Sequence, residues 1–270
     1  MAPEAHTPLA FVAGATGYVG RAVVERLRDA GIPVTAHVRP DSASLGEWTE
    51  RFAAMGAIVD TTEWSRGPIT AAIARTEPTH VFALIGTSRR RARRRSDAAE
   101  RASPYESVDY GLTSMLLKSC VSVGMRPRFI YLSSIGADSR ARNSYLRVRG
   151  RLERELRDSG LPYVVFRPSF ITGRDRPEYR LAERAGAVLT DAAARVLNFA
   201  RLGRFLARLR SIDAVTLADA MVGMSLEADA ANRVIERDEL PPRGSAGKRP
   251  AMSALPRTGP DRRRHRGGGS

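Results

Sequence analysis

The chain has one cysteine, four histidines and no long apolar run, and each scarcity excludes something. A lone Cys120 cannot close an internal disulfide, and a Cys-rich metal site cannot be assembled. Cys120 falls among Leu116, Leu117 and Val121 in an apolar helical pattern, which predicts a buried, inert thiol. His6, His37, His80 and His265 are scattered without metal-ligand spacing. No stretch reaches the roughly 18 apolar residues that a membrane-spanning helix needs. The first residues, Met1 to His6, offer neither a basic start nor an apolar stretch, so no secretory signal and a cytoplasmic location are expected.

What is present is ordinary for a globular chain: 270 residues, 43% hydrophobic and 27% charged. The net charge of +15 is not ordinary, and it raises the question of a nucleic-acid partner. Most of that charge is local. Residues 89–101 carry seven Arg against Asp97 and Glu100, and residues 241–270 carry eight Lys or Arg against Asp261. Neither cluster interleaves aromatics on which bases could stack, so nucleic-acid binding is not expected. The first cluster reads as a solvated loop and a candidate surface for a protein partner, the second as a disordered basic tail over 241–270.

Near the start lies Leu9-Ala-Phe-Val-Ala-Gly14-Ala-Thr16-Gly17-Tyr18-Val19-Gly20. It reads as a buried strand, a glycine-rich turn and an amphipathic helix marked by Val23, Val24 and Leu27. Gly14 permits a sharp turn, Gly17 leaves room for a pyrophosphate, and Gly20 permits close helix–sheet packing. The helix N-terminus adds N–H groups and a partial positive charge. A second strand at Val34–Val38 completes a strand–helix–strand unit of about 30 residues, the context that makes the turn a dinucleotide-binding signal. Where NAD-binding chains place an acidic residue against the ribose 2′-hydroxyl, this chain has Arg39, followed by Ser42. A planar multi-donor fork suits a 2′-phosphate, so NADP(H) is the expected cofactor, with NAD(H) as the alternative.

Strand and helix patterns then alternate. A helix over 43–55, a strand at Ala57–Asp60 and a short helix from Pro68 to Thr76 precede a strand at His80–Ile85 that ends at Gly86. A long helix from Ser103 to Val123, a strand at Arg128–Leu132, a helix from Asn143 to Ser159 and a strand at Tyr163–Arg167 follow. The alternation predicts an α/β fold, a doubly wound parallel sheet of Rossmann type with helices on both faces. Helices are expected over 178–210 and 214–228, and a last strand at Arg233–Glu236. Residues 8–240 are expected to form a single domain, with about 168–236 shaping the substrate side. Gly14, Arg39, Gly86 and Ser133 fall at the carboxyl ends of strands, where such sheets bind ligands.

After the fifth strand comes Tyr131-Leu-Ser133-Ser134, and eleven residues later Tyr145-Leu-Arg-Val-Arg149. Carbonyl reduction needs a proton delivered to oxygen as hydride reaches carbon. A Tyr hydroxyl can supply it if a nearby cation lowers its pKa, and a Ser hydroxyl can hold the oxygen. Tyr145 and Arg149 stand four apart on one helix face.

With the Gly-x-x-Gly-x-x-Gly turn, these motifs resemble the atypical and extended short-chain dehydrogenase/reductases, in the NAD(P)H-binding, NmrA-like and epimerase-like branch. The resemblance covers residues 8–236. Val108-Asp109-Tyr110-Gly111 and Arg167-Pro168-Ser169-Phe170-Ile171 extend it. It implies Ser134 (or Ser133) as the carbonyl ligand and Tyr145 as acid/base. It implies Thr87 and Ser88 beside the nicotinamide ribose, and Pro168, Ser169, Phe170 and Ile171 flanking the nicotinamide. Asp60, at the end of the third strand, joins the expected cofactor contacts, as do the turn residues Gly14, Thr16, Gly17, Tyr18, Val19 and Gly20. The family pattern is Tyr-x-x-x-Lys; here Arg149 keeps the charge but not the compact ammonium that bonds both ribose hydroxyls. Two function classes follow. One is an NADPH-dependent oxidoreductase on a small carbonyl or alcohol, with an epimerase or dehydratase as its chemical neighbour. The other is a non-catalytic redox sensor of the NmrA-like kind.

Overall fold

The computed structural model describes residues 7–86, 105–172 and 211–242. Seven parallel strands form one sheet in the order β3-β2-β1-β4-β5-β6-β9. They are β1 (Ala10–Ala13), β2 (Val34–His37), β3 (Ile58–Asp60), β4 (His80–Ala83), β5 (Arg128–Leu132), β6 (Tyr163–Arg167) and β9 (Arg233–Glu236). A separate two-residue ladder pairs β7 (Ile171–Thr172) with β8 (Ile212–Asp213). The helices are α1 (Tyr18–Asp29), α2 (Leu45–Ala54), α3 (Arg66–Thr76), α4 (Thr113–Ser122), α5 (Ser144–Asp158) and α6 (Ala214–Leu226).

Strand β1 shows why the sheet is doubly wound. All four of its residues are buried, as a central parallel strand requires. Ala10 and Val12 face a core layer with Val23, Val24 and Leu27 of α1 and Leu217 and Met221 of α6. Phe11 and Ala13 face the opposite layer, with Ile69 and Ile73 of α3, Leu116 and Leu117 of α4, and Val148 and Leu152 of α5. The period-two alternation of one strand thus feeds two helix layers. An Arg26–Asp219 ion pair at 2.7 Å ties α1 to α6 on the first side.

The expected strands and helices recur, most with ends moved by a residue or two, as hydrogen-bonded boundaries and sequence signals commonly differ. Three differences are larger. The long helix expected from Ser103 begins, among the described residues, as a wide π-helix at Tyr105–Leu112 and tightens into α4 only at Thr113. The β7–β8 ladder was not expected, because two-residue strands carry no readable period. The Arg-rich 89–101 segment, the helix expected over 178–210 and the tail from 243 onward lie outside the described residues. Among those described, no helix is long and apolar enough to cross a membrane. Cys120 is fully buried, and burial pushes its thiol up to about 12, in keeping with an inert side chain.

Candidate functional site

The chain runs outward from β1 to β2 and β3 before returning to β4, so the strand order reverses between β1 and β4, the usual place for a ligand crevice. The glycine turn sits on that reversal. Gly14 adopts φ +83°, and a Cβ there would stand 2.8 Å from the Leu84 carbonyl at the end of β4. A Cβ on Gly20 would fall onto the Gly14 carbonyl oxygen. Both positions therefore require glycine for the first turn of α1 to lie against the strand ends. Gly17 is the N-cap of α1; no side chain caps the helix and no acidic residue stands in its first turn. These features suit a pyrophosphate: the N–H groups of the first turn lack partners within the helix, and the turn carries no acidic side chain. Tyr18 reaches across to donate to the Thr172 carbonyl oxygen at 3.2 Å, tying α1 to β7. The Arg21 guanidinium lies over the rings of Tyr18 and Trp48, which seats α1 against α2.

Arg39 follows β2, and its side chain is half-exposed with one ion pair among the described residues, to the more exposed Asp41 at 3.3 Å. Such a surface pair is weak, so most of the fork's donors stay available to an incoming anion. The Ser42 N–H donates to the Arg39 carbonyl oxygen, folding that turn tightly. Asp60 is buried at the end of β3. Its carboxylate accepts from the Thr62 hydroxyl at 2.8 Å and from Arg75 at 3.2 Å. Burial depresses the pKa of the adjacent His37, whose Nε2 lies 2.9 Å from the Thr62 carbonyl oxygen.

The second half of the site forms where β4, β5, α5 and the π-helix meet. Asn143 caps α5, accepting from the Leu146 N–H at 3.2 Å, and so places Tyr145 in the first turn and Arg149 one turn on. The Arg149 guanidinium carbon stands 5.2 Å from the Tyr145 ring centroid and 5.6 Å from that of Tyr131. Arg149 donates to the Leu132 carbonyl oxygen at 2.8 Å, to the Tyr131 hydroxyl at 3.2 Å and to the fully buried Asp109 at 2.5 Å. Among the described residues its Nε has no hydrogen-bond partner. Burial alone would lower the Arg149 pKa; the surrounding Tyr131, Tyr145 and Asp109 outweigh it and hold the pKa above the ordinary value. Burial raises the Tyr131 pKa, so Tyr131 stays a neutral phenol. Gly86, just past β4, leaves space for this guanidinium: a Cβ there would stand 3.1 Å from Nη2.

The two serines part ways. The Ser133 hydroxyl donates to Glu153 at 2.6 Å in a buried network, whereas the Ser134 side chain makes no hydrogen bond among the described residues. Glu153 also binds Arg157 and Arg167, and Arg167 continues to Glu236 of β9 at 2.8 Å. Pro168 accepts from the Ile135 N–H at 3.0 Å through its carbonyl, and Phe170 accepts likewise from Ile212 at 2.9 Å. Ser169 and Ile171 are buried beside them. Thr87 and Ser88 lie outside the described residues. The structure thus brings Tyr145, Arg149, Gly86 and Tyr131 together and commits the Ser133 hydroxyl elsewhere. Sequence reading singled out neither Asp109 as a partner for Arg149 nor Glu153 as one for Ser133. Only the acidic residue in the Val-Asp-Tyr-Gly motif signalled the first, and nothing local signalled the second.

Residues 14–201 match the NAD(P)H-binding family. Over 167 residues the chain is 26% identical to Protein FMP52-1, mitochondrial, of the yeast Scheffersomyces stipitis, covering 61% of this chain and 67% of that protein. Among solved structures it is similar to the UDP-glucose 4-epimerase of Thermus thermophilus in complex with NAD. That likeness has a TM-score of 0.56 and 16% identity, and covers 87% of this chain and 85% of the epimerase. It is also similar to the NADPH-dependent quinone oxidoreductase QOR2 of Escherichia coli complexed with NADPH. Here the TM-score is 0.54 with 18% identity, covering 84% of this chain and 68% of the oxidoreductase. Likeness at these identities speaks for the fold.

Proposed function

The chain belongs to the NAD(P)H-binding family, and from that premise we propose that it is an NADPH-dependent oxidoreductase acting on a small carbonyl or alcohol. The observation that carries the reading is the buried Arg149 cation 5.2 Å from the Tyr145 ring, one turn along the same helix. When bound, the cofactor supplies the hydride. The residues of the chain do the rest. The glycine turn and the first turn of α1 receive the pyrophosphate, and Arg39 receives the 2′-phosphate. Ser134 donates to the substrate oxygen, and Tyr145 passes its proton to that oxygen as the carbonyl becomes an alcohol. Arg149 favours the phenolate left behind; because an arginine does not give up its proton, the cation persists throughout.

Calorimetric titration with NADPH and, separately, NADH tests the cofactor assignment. NADPH is expected to bind at least about tenfold more tightly, a difference near 1.4 kcal/mol. Equal binding would remove Arg39 from the site, and binding of neither would overturn the reading. A second reading, a redox sensor that binds NADPH without turnover, is favoured by the commitment of Arg149 to Asp109 and Leu132. Turnover on any carbonyl substrate that is lost in Tyr145→Phe decides against it.

A further inference from the structure

We propose that Asp109 is a positioning residue that sets the proton affinity of Tyr145 by holding and partly offsetting the Arg149 charge. The inference rests on the reading of Tyr145 as the acid/base, and it concerns how strongly that group is tuned. Asp109 comes from the π-helix, forty positions before Arg149 in the sequence, and it is fully buried against the guanidinium. A wide helical turn inserted before a regular helix is a common way of aiming one side chain into a site. Four strand and helix ends converge on this pair: Gly86 past β4, Tyr131 and Leu132 of β5, Tyr145 and Arg149 of α5, and Asp109 itself.

Among the described residues, Arg149 on its own helix and Tyr105 from the π-helix pack on the Tyr145 ring, and Asp109 and Tyr131 share the Arg149 guanidinium with it. The neighbouring Glu106 is engaged by Arg151 at 2.9 Å. A cation that cannot deprotonate, buried among the described residues with one carboxylate and two phenols, takes its counter-charge from whichever of these ionises first, and Tyr131 stays neutral. While Asp109 is ionised it supplies that charge, and the Tyr145 phenol keeps its proton longer. With Asp109 neutral, the phenolate of Tyr145 becomes the remaining local anion and forms earlier. In the absence of Arg149 the relation disappears, because an unpaired buried carboxylate takes up a proton and loses its own charge.

The experiment is a pH titration of phenolate absorbance. The chain has seven tyrosines, so each variant is measured with and without Tyr145→Phe and the difference isolates Tyr145. No cofactor or substrate is needed, so its failure is separable from failure of NADPH to bind. In Asp109→Asn, Tyr145 is expected to ionise at a pH lower by about one unit or more. In the Arg149→Met background, Asp109→Asn is expected to leave the titration unmoved. A Tyr145 titration identical in wild type and Asp109→Asn, or a shift of the same size without Arg149, overturns the proposal. If Asp109→Asn alone does not fold, the double variant Asp109→Asn/Arg149→Met takes its place, since loss of both charges together is well tolerated. Tyr145 should then ionise later than in wild type, because Asp109 offsets the Arg149 charge only in part. Ionisation at or below the wild-type pH refutes the proposal.

Discussion

Helix α5 carries two buried charge clusters one turn apart, and they are built on opposite plans. At Arg149, among the described residues, a single carboxylate, Asp109, meets the cation, two phenol rings lie near it, and one guanidinium nitrogen has no partner. At Glu153 two cations, Arg157 and Arg167, meet the carboxylate, a serine donates to it, and Arg167 continues to a second carboxylate, Glu236. The second cluster closes on itself and ties α5 to the ends of β5, β6 and β9. A shared network of this kind fixes geometry, because each central charge keeps a partner when another member moves. The first cluster holds a one-to-one ion pair with a tyrosine ring against the cation, and under the proposed function this is where the proton would move. Burial and charge are common to both; what separates them is how many ion pairs and hydrogen bonds share each central charge.

The largest expected effect separates the clusters by readout. Tyr145→Phe should cut turnover by about a hundred- to ten-thousandfold while leaving NADPH affinity and the unfolding midpoint nearly unchanged. Steady-state kinetics beside calorimetry checks this, and full activity would erase the distinction drawn at Arg149. Glu153→Gln should do the reverse. It leaves Arg157 without this anion and Arg167 with Glu236 alone, and it should lower stability by about 1.5–3 kcal/mol, the scale for hydrogen bonds to a charged group, in denaturant unfolding. NADPH binding by the folded fraction should survive. If Glu153→Gln lowered turnover without a stability loss, the closed cluster would belong to the site.

The adjacent serines give the sharpest test, because they differ by one position. Ser133→Ala removes a hydrogen bond to a buried carboxylate and should cost about 1.5–3 kcal/mol of stability with turnover preserved. Ser134→Ala should leave stability within about 0.5 kcal/mol and reduce turnover by about a hundredfold, the scale for loss of one donor to the reacting oxygen. Paired unfolding and rate measurements on the two variants read both effects at once.

The same contrast explains what could be read along the sequence. The glycine turn, β5, β6 and the Tyr145–Arg149 pair are local: their information lies within a few residues, as strand alternation or a four-residue helix spacing. Ser133 and Ser134 could not be told apart, because the choice depends on Glu153, twenty residues later on another element. Asp109 and Arg149 are forty apart, and Arg167 and Glu236 sixty-nine apart, distances over which no periodic pattern speaks. The widening of the helix at Tyr105–Leu112 was equally silent, since an apolar helical stripe reads alike for α and π turns. What the chain also shows is that 42 of its 44 basic residues are arginine, with lysine only at Lys118 and Lys248. The arginine at 149 thus follows the habit of the whole chain, and the cost of the wider head group is met locally, by Gly86 and Asp109.

The smallest predicted effect lies at the other end of the sheet and serves as a control on both clusters. His80 opens β4 in register with Arg128, its Nδ1 is 2.9 Å from the Thr79 hydroxyl, and burial, with Arg128 beside it, lowers its pKa to about 4. The unfolded chain takes up a proton at this residue near pH 6.5, before the folded chain does. Stability associated with His80 is therefore complete above about pH 6.5, declines as the pH falls, and is lost once the pH reaches about 4. Unfolding midpoints followed from pH 7 to pH 4 should fall less steeply in His80→Gln than in wild type. They should fall with the wild-type slope in Tyr145→Phe and Ser133→Ala, because neither variant touches the strand ends where His80 sits. An equal slope in His80→Gln would place the acid sensitivity at the carboxylates of the two clusters instead, and would make the open and closed plans of α5 distinguishable by pH as well as by substitution.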